Sequence, residues 1–165
     1  MGIKRIVKHL FTGHGQVRQA FPRNALHAIE KAIAASETTH GGEIQFAVEG
    51  ALDGLPLLKG QSPRERALEL FSQRRVWDTE HNNGLLIYLL LADRAVEIVA
   101  DRGIHAKVSS REWNDVCRQM ETAFKRKDYE GGAVAGIQAV TQHLVAHFPA
   151  DGKRQNELSD KPVTL

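Results

Sequence analysis

Cysteine is nearly missing from this chain. Cys117 is the single one in 165 residues, so no disulfide can form within the chain and nothing points to an oxidising compartment. A long apolar run is also lacking. The longest, Leu85 to Ala92, falls far short of the roughly 20 residues of a membrane-spanning helix. No charge of one sign dominates: 22 basic residues face 20 acidic ones, for a formal charge of +2. A nucleic-acid module would show a basic excess on one face, so no nucleic-acid partner is expected. The first residues have neither the continuous apolar stretch nor the small-residue cleavage site of a secretory signal. A cytoplasmic protein is the expectation. Repeats and low-complexity tracts are absent too.

Several catalytic signatures are missing. Gly13-His14-Gly15 lacks the third glycine and the preceding strand of a dinucleotide fingerprint. His143 and His147 share a helix face, but the glutamate of the metalloprotease motif is not between them. No nucleophile elbow or Ser-His-Asp order occurs. Cys117 falls on the apolar face of its helix beside Met120, as an inert core thiol would.

What is present suits one globular domain: 42% of residues are hydrophobic, and the length can bury its own core. Residues 1–11 alternate basic and apolar side chains (Lys4, Arg5, Lys8 against Ile3, Ile6, Val7, Leu10, Phe11). Such a segment forms a frayed or docked terminal helix, or makes weak contact with an anionic membrane surface. A helix opens at Phe21-Pro22, carries Leu26, Ile29 and Ile33 at helical spacing, and stops at His40-Gly41-Gly42. Glu43 to Leu52 alternates as a half-buried strand does, with Ile44, Phe46 and Val48 on one face and Gln45 and Glu49 on the other.

Ser62-Pro63-Arg64-Glu65 is a capping box with proline at the first helical position, opening a helix that ends near Trp77. Arg64, Arg66, Arg74 and Arg75 read as its solvated face, diluted by Glu65 and Glu69. Gly84 to Leu91 is apolar on both faces, as a strand covered by helices on both sides would be. A tight Asp93-Arg94 turn joins it to Ala95–Asp101 as an antiparallel hairpin. Ser109 to Glu112 is a second capping box, followed by Trp113, Val116, Cys117, Met120 and Phe124 on one helix face. Trp77 and Trp113 read as core or near-core aromatics. A last helix carries Val134, Ile137, Thr141, Leu144 and Phe148, and a loose polar tail is expected from Pro149 onward.

The fold class is therefore α/β. A small mixed β-sheet combines a parallel crossover with a β-hairpin, and helices pack on both faces. The expected organisation is a basic N-terminal segment at 1–20, an α/β domain at 21–148 and a polar C-terminal tail at 149–165.

Two acidic groups are candidate sites. In open α/β sheets ligands gather beyond the carboxyl ends of the parallel strands. Asp53, in the loop after the first strand, and Asp93, in the hairpin turn, both belong to that end, and Asp93 is the candidate metal ligand. A strand of this length spans about 26 Å, so Asp93 cannot share an ion with residues at the other end. Asp93 also reads as a turn residue bonding its own backbone. The second group is a polar rim at the opposite end: Asp78, Glu80, His81, Asn82, Asn83 and Asp101, with Arg102. Its oxygen ligands suit calcium or magnesium better than zinc. The same residues also read as a solvated loop in which Asn83-Gly84 takes an unusual backbone conformation.

The hairpin carries a family resemblance. Asn82-Asn83-Gly84-Leu85-Leu86-Ile87 resembles the "(D/N)NG plus apolar strand" motif of the TPM domain. Ala92-Asp93-Arg94-Ala95-Val96-Glu97-Ile98 resembles its acidic turn and second strand, and Arg102-Gly103-Ile104 the glycine closing the hairpin. Asp128-Tyr129-Glu130-Gly131-Gly132, leading into Ala135-Gly136-Ile137, is similar to the start of the family's last helix. The resemblance runs from about Phe21 to Phe148. It is a bacterial-type domain, named after a thylakoid lumen protein, a photosystem II repair protein and an acetylcholine-receptor modulator. The resemblance implies an α/β sandwich, with phosphatase activity proposed for plant members and divalent-metal binding for some. Asn82 stands where many members carry aspartate, and the signal peptide and anchor of many members are not seen here. These departures favour a non-catalytic interaction or assembly module. It would work with a protein partner near the membrane, peripheral at its inner face. The alternative is a weak divalent-metal-assisted phosphatase.

Overall fold

The computed structural model describes residues 2–152 and 155–165. Met1 of the basic segment and Lys153 and Arg154 of the tail lie outside the described residues. The chain begins with helices α1 (Ile3–Phe11), α2 (His14–Ala20) and α3 (Arg23–Glu37), then strand β1 (Glu43–Glu49). Helices α4 (Gly54–Leu58) and α5 (Pro63–Gln73) precede the hairpin of β2 (Gly84–Leu90) and β3 (Ala95–Ala100). A short α6 (Arg102–His105), α7 (Ser110–Lys125), α8 (Tyr129–His147) and strand β4 (Val163–Thr164) follow.

Among the described residues the strands form one sheet in the order β3-β2-β1-β4. β1 and β2 run parallel, with Glu43 opposite Gly84 and Glu49 opposite Leu90, while β2 and β3 pair antiparallel. The mixed sheet with a crossover, a hairpin and helices on both faces is thus present. Both capping boxes form: Ser62 with Glu65 opens α5, and Ser109 with Glu112 opens α7.

The alternation of β2 divides its side chains between two cores. Leu85, Ile87 and Leu89 pack with Ile29 and Ile33 of α3, Val116 and Met120 of α7, and Ile137 of α8. Leu86, Tyr88 and Leu90 pack on the other face with Ala67 and Leu70 of α5 and Leu57 of α4. Gly84 is required by a close approach: a Cβ there would collide with the carbonyl of Val76. Its φ is not positive; Asn82, two residues earlier, takes the left-handed conformation at φ 51°. The unusual backbone expected at Asn83-Gly84 is therefore displaced to Asn82.

Four other expectations are corrected. β1 is buried along its whole length, not half-buried, because α5 and the C-terminal segment cover its second face. The tail from Pro149 is not wholly loose. Glu43 Oε2 accepts hydrogen bonds from the backbone N–H groups of Glu157 and Leu158 (3.2 and 3.1 Å), and β4 then pairs with Ala47 and Val48 of β1. Trp77 is exposed, with the Arg75 guanidinium 5.8 Å from its ring centre, whereas Trp113 is buried. Arg66 does not belong to a solvated face, since it turns inward onto Glu49.

Candidate functional site

Beyond the carboxyl ends of β1 and β2, helix α1 docks against the hairpin turn. Asp93 is the anchor. Arg5 Nε lies 3.1 Å from both Asp93 oxygens and Arg5 Nη2 lies 2.7 Å from Oδ2. Arg5 Nη2 also donates to the Gln61 carbonyl at 2.7 Å. His9 is buried, and its Nδ1 accepts from the Leu52 N–H at 2.9 Å. The ring proton then sits on Nε2, which donates to Asp93 Oδ1 at 3.0 Å. Burial favours the neutral Asp93 carboxyl, but the Arg5 and His9 donors outweigh it and hold its pKa below the usual aspartate range.

Asp53 and Asp93 are brought to the same end of the sheet, but no bond joins them among the described residues. Their link is His9, which bridges Asp93 to Leu52, the residue before Asp53. Asp53 is exposed at the start of α4 and its side chain caps no amide there. A cation at Asp93 would have to displace an arginine and a histidine from a charge-assisted cluster, so this carboxylate does not fit a hard-metal ligand.

Docking α1 through Arg5 and His9 turns its apolar residues outward. Ile3, Leu10 and Phe11 are 79%, 74% and 77% exposed, and Val7 is also exposed. Their spacing places them on one side of the helix. Lys4 and Lys8 are exposed beside them. The Arg5 bond to Gln61 and the His9 bond to Leu52 tie α1 to the α4 segment, where Leu55 and Leu58 are exposed as well. This is the reverse of an ordinary surface helix, which points its apolar stripe at the core.

At the opposite end of the hairpin the polar rim is only partly satisfied. Asp78 pairs with Arg75 at 2.8 Å, and Glu80 is exposed, its N–H donating to Glu157 Oε2 at 2.9 Å. His81 is exposed, 4.0 Å from Glu80. Asn82 Oδ1 accepts from Arg102 at 3.2 Å. Asn83 is buried, and its Nδ2 donates to the Gly41 carbonyl. Asp101 is buried, and its Oδ1 accepts from the Arg102 N–H at 2.7 Å. Asn83 Oδ1 and Asp101 Oδ2 are buried oxygens without a donor among the described residues. Two acceptor oxygens of this kind fit a hard cation in their chemistry. No group of three His, Cys, Asp or Glu side chains converges among the described residues.

Other side chains have structural partners. Cys117 is buried, and burial pushes its thiol up to about 12. His143 lies 3.7 Å from Glu112 and packs edge-on to Trp113. Sequence reasoning missed a cluster at the carboxyl end of β1. Glu49 Oε2 accepts from the Tyr88 hydroxyl at 2.6 Å and from Arg66 Nε at 2.9 Å, while Oε1 accepts from Arg66 Nη2 at 3.0 Å. Burial and the Glu49 bond push the Tyr88 phenol upward. The available signal was a carboxylate at the carboxyl end of β1 with an arginine on the covering helix. No described helix is long and apolar enough to cross a membrane.

Comparison with known proteins bears on this architecture. A search of curated proteins gave no match. The NMR structure of BA42 protein from the psychrophilic bacterium Bizionia argentinensis is 26% identical, with a TM-score of 0.74 over 86% of this chain and 93% of that one. The solution NMR structure of the N-terminal domain of a P. gingivalis protein is 22% identical, with a TM-score of 0.60 over 79% of this chain and 82% of that one. The latter shares the fold. The family model described as the TPM domain matches residues 18–143, which takes in the crossover, the hairpin, α6, α7 and most of α8, and the chain belongs to that family.

Proposed function

We propose that this domain is a non-catalytic interaction module that works at an anionic membrane surface, with α1 as its contact. The observation that carries this reading is the outward stripe of Ile3, Val7, Leu10 and Phe11 on a helix fixed from behind by Asp93. The helix is already ordered, so little further ordering opposes binding. Apolar burial of four such side chains contributes on the order of 6 kcal/mol before immobilisation is subtracted. Lys4 and Lys8 add about 1 kcal/mol each beside anionic lipid. The stripe therefore dominates, and the lysines select the charge of the surface. On this reading Asp93 positions α1 and Asp53 has no ligand role.

Sedimentation with vesicles of phosphatidylserine and phosphatidylcholine tests it. The wild type is expected to co-sediment with the mixed vesicles, with salt weakening the binding without abolishing it. Leu10→Ser with Phe11→Ser should bind at least about tenfold more weakly while melting at the same temperature, since both residues are exposed. Equal sedimentation of the two proteins, or none by the wild type, rejects the membrane and leaves a protein surface as the occupant of the stripe.

A second reading follows from the phosphatase label that the family carries. The two unpartnered oxygens, Asn83 Oδ1 and Asp101 Oδ2, favour it. These residues would hold a calcium or magnesium ion, which would supply Lewis-acid polarisation of a phosphoryl oxygen. Asp101 would bring the charge and Asn83 an amide oxygen. Hydrolysis of an aryl phosphate with and without each metal, in wild type and Asp101→Asn, tests it. Metal-dependent turnover lost in the variant supports the phosphatase; no turnover, or equal turnover, removes it.

A further inference from the structure

A groove of about 680 Å³ opens at the carboxyl end of β2, between α1, α2, the start of α3 and the α7–α8 turn. Its volume lies in the range of small-molecule sites. Leu89 and Leu91 belong to its apolar lining, and Tyr129 supplies a ring that stacks on Phe124 at 5.6 Å. Its rim is cationic. Lys8 comes from α1, Arg94 from the hairpin turn and Lys127 from the α7–α8 turn, three segments far apart in sequence. None of the three has a carboxylate partner among the described residues. Glu130 is the one acid in the lining, and its carboxylate accepts from Asn24 at 3.4 Å.

Two of the cations sit on unusual backbone. Arg94 has φ 53° and Lys127 φ 64°, where glycine or asparagine is the ordinary choice. The chain thus places a long cation at each of two positions that do not favour one. Each turn fixes a Cα at the mouth of the same groove. The surroundings of Asp93 next door are already neutralised by Arg5 and His9, so that carboxylate does not quench Arg94.

We propose that this groove binds a small organic dianion with a flat or apolar body. Three cations against one acid leave a net charge of about +2, which a dianion matches. The Arg94 fork suits the paired oxygens of a carboxylate or phosphonate, and the lysines supply point charges. The apolar lining and the Tyr129 ring receive the body. The site shares only Lys8 with the membrane contact, and none of Ile3, Val7, Leu10 and Phe11 lines it.

Calorimetric titration of the full chain with phthalate, phenylphosphonate and uncharged benzyl alcohol tests this. Both dianions are expected to saturate at low millimolar concentration or below, to weaken with salt, and to shift the amide resonances of Leu89, Leu91 and Tyr129, while benzyl alcohol does not bind. Arg94→Asn with Lys127→Asn preserves the left-handed backbone and should bind at least about tenfold more weakly. Lys8→Gln, on an exposed helix position, should weaken binding about threefold and serves if the double variant does not fold. Preference for one dianion assigns the head group. Displacement of phenylphosphonate by phosphatidic acid vesicles assigns a lipid source, and lack of displacement a soluble one. No saturation by about 10 mM in the wild type, or undiminished affinity in the charge variants, overturns the proposal.

Discussion

Glu49 and Asp93, at the carboxyl ends of the central strands, and Asp101, at the open end of the hairpin, are held in opposite ways. At the carboxyl end every oxygen of Glu49 and Asp93 is engaged, the first by Arg66 and Tyr88, the second by Arg5 and His9. At the amino end of β2, Asp101 Oδ2 and Asn83 Oδ1 are buried without a donor among the described residues. A saturated carboxylate is an anchor: its free energy is already spent in holding two pieces of chain together. An unsatisfied buried oxygen costs about 1–3 kcal/mol and is where a water, an ion or a ligand gains most. Proximity to the strand ends points to Asp93, whereas hydrogen-bond bookkeeping points to Asp101.

Breaking the saturated end should have the largest effect. Glu49→Gln leaves the Arg66 guanidinium partly buried beside a neutral amide. Removing one partner of such a pair costs about 3 kcal/mol. A fall in thermal midpoint on the order of 10 °C is expected, measured by calorimetry. A change under about 2 °C would mean that water replaces the carboxylate and that Glu49 is no anchor.

Asp93→Asn comes next. Arg5 and His9 lose the shared charge and one of its two acceptor oxygens, which becomes an –NH₂ facing their donors, so α1 should detach while the sheet stays folded. The cost is about 1–3 kcal/mol, and it is local: amide exchange of Ile6 to Leu10 should accelerate at least tenfold while that of Leu85 to Leu89 stays unchanged. Uniform acceleration through both segments would place Asp93 in the global core. The same contact has a pH signature. The folded-state pKa of Asp93 is lowered, so its stabilisation is complete above the unfolded value of about 3.9 and is lost as pH falls below it. Resonances of α1 should therefore move below about pH 4, before those of the sheet.

The difference between the ends also explains what the sequence could and could not say. The capping boxes at Ser62 and Ser109 and the apolar run of β2 are written in adjacent residues, and each forms where local chemistry places it. β4 is not so written. Val163 and Thr164 are an unremarkable pair in a polar tail, and only the open edge of β1 makes them a strand. The Arg5–Asp93 contact joins residues 88 positions apart, so no spacing rule could find it. The pattern of α1 misleads because its apolar stripe faces water, against the usual rule that a docked helix buries it. For β1, Gln45 and Glu49 read as a solvent face because alternation records polarity and not coverage.

The smallest effect is expected at the unsatisfied end, from Asp101→Asn. The amide keeps an oxygen for the Arg102 N–H, so the cap of α6 survives. Its –NH₂ replaces the partnerless Oδ2 and supplies a donor where the hairpin end has a surplus of acceptors, Asn83 Oδ1 among them. Removing an uncompensated buried carboxylate offsets the small loss in capping strength. The thermal midpoint in metal-free buffer should therefore stay within about 2 °C of wild type, or rise. Calcium sharpens the contrast. If Asp101 Oδ2 and Asn83 Oδ1 hold a cation, the wild type should be stabilised by millimolar calcium in proportion to occupancy, and the variant should not. A wild type indifferent to calcium, with a variant more stable in every buffer, would make the orphaned oxygens a local defect of the fold. A variant that melts well below wild type without metal would show instead that Oδ2 has a structural partner, such as a buried water, and the contrast between the two ends would disappear.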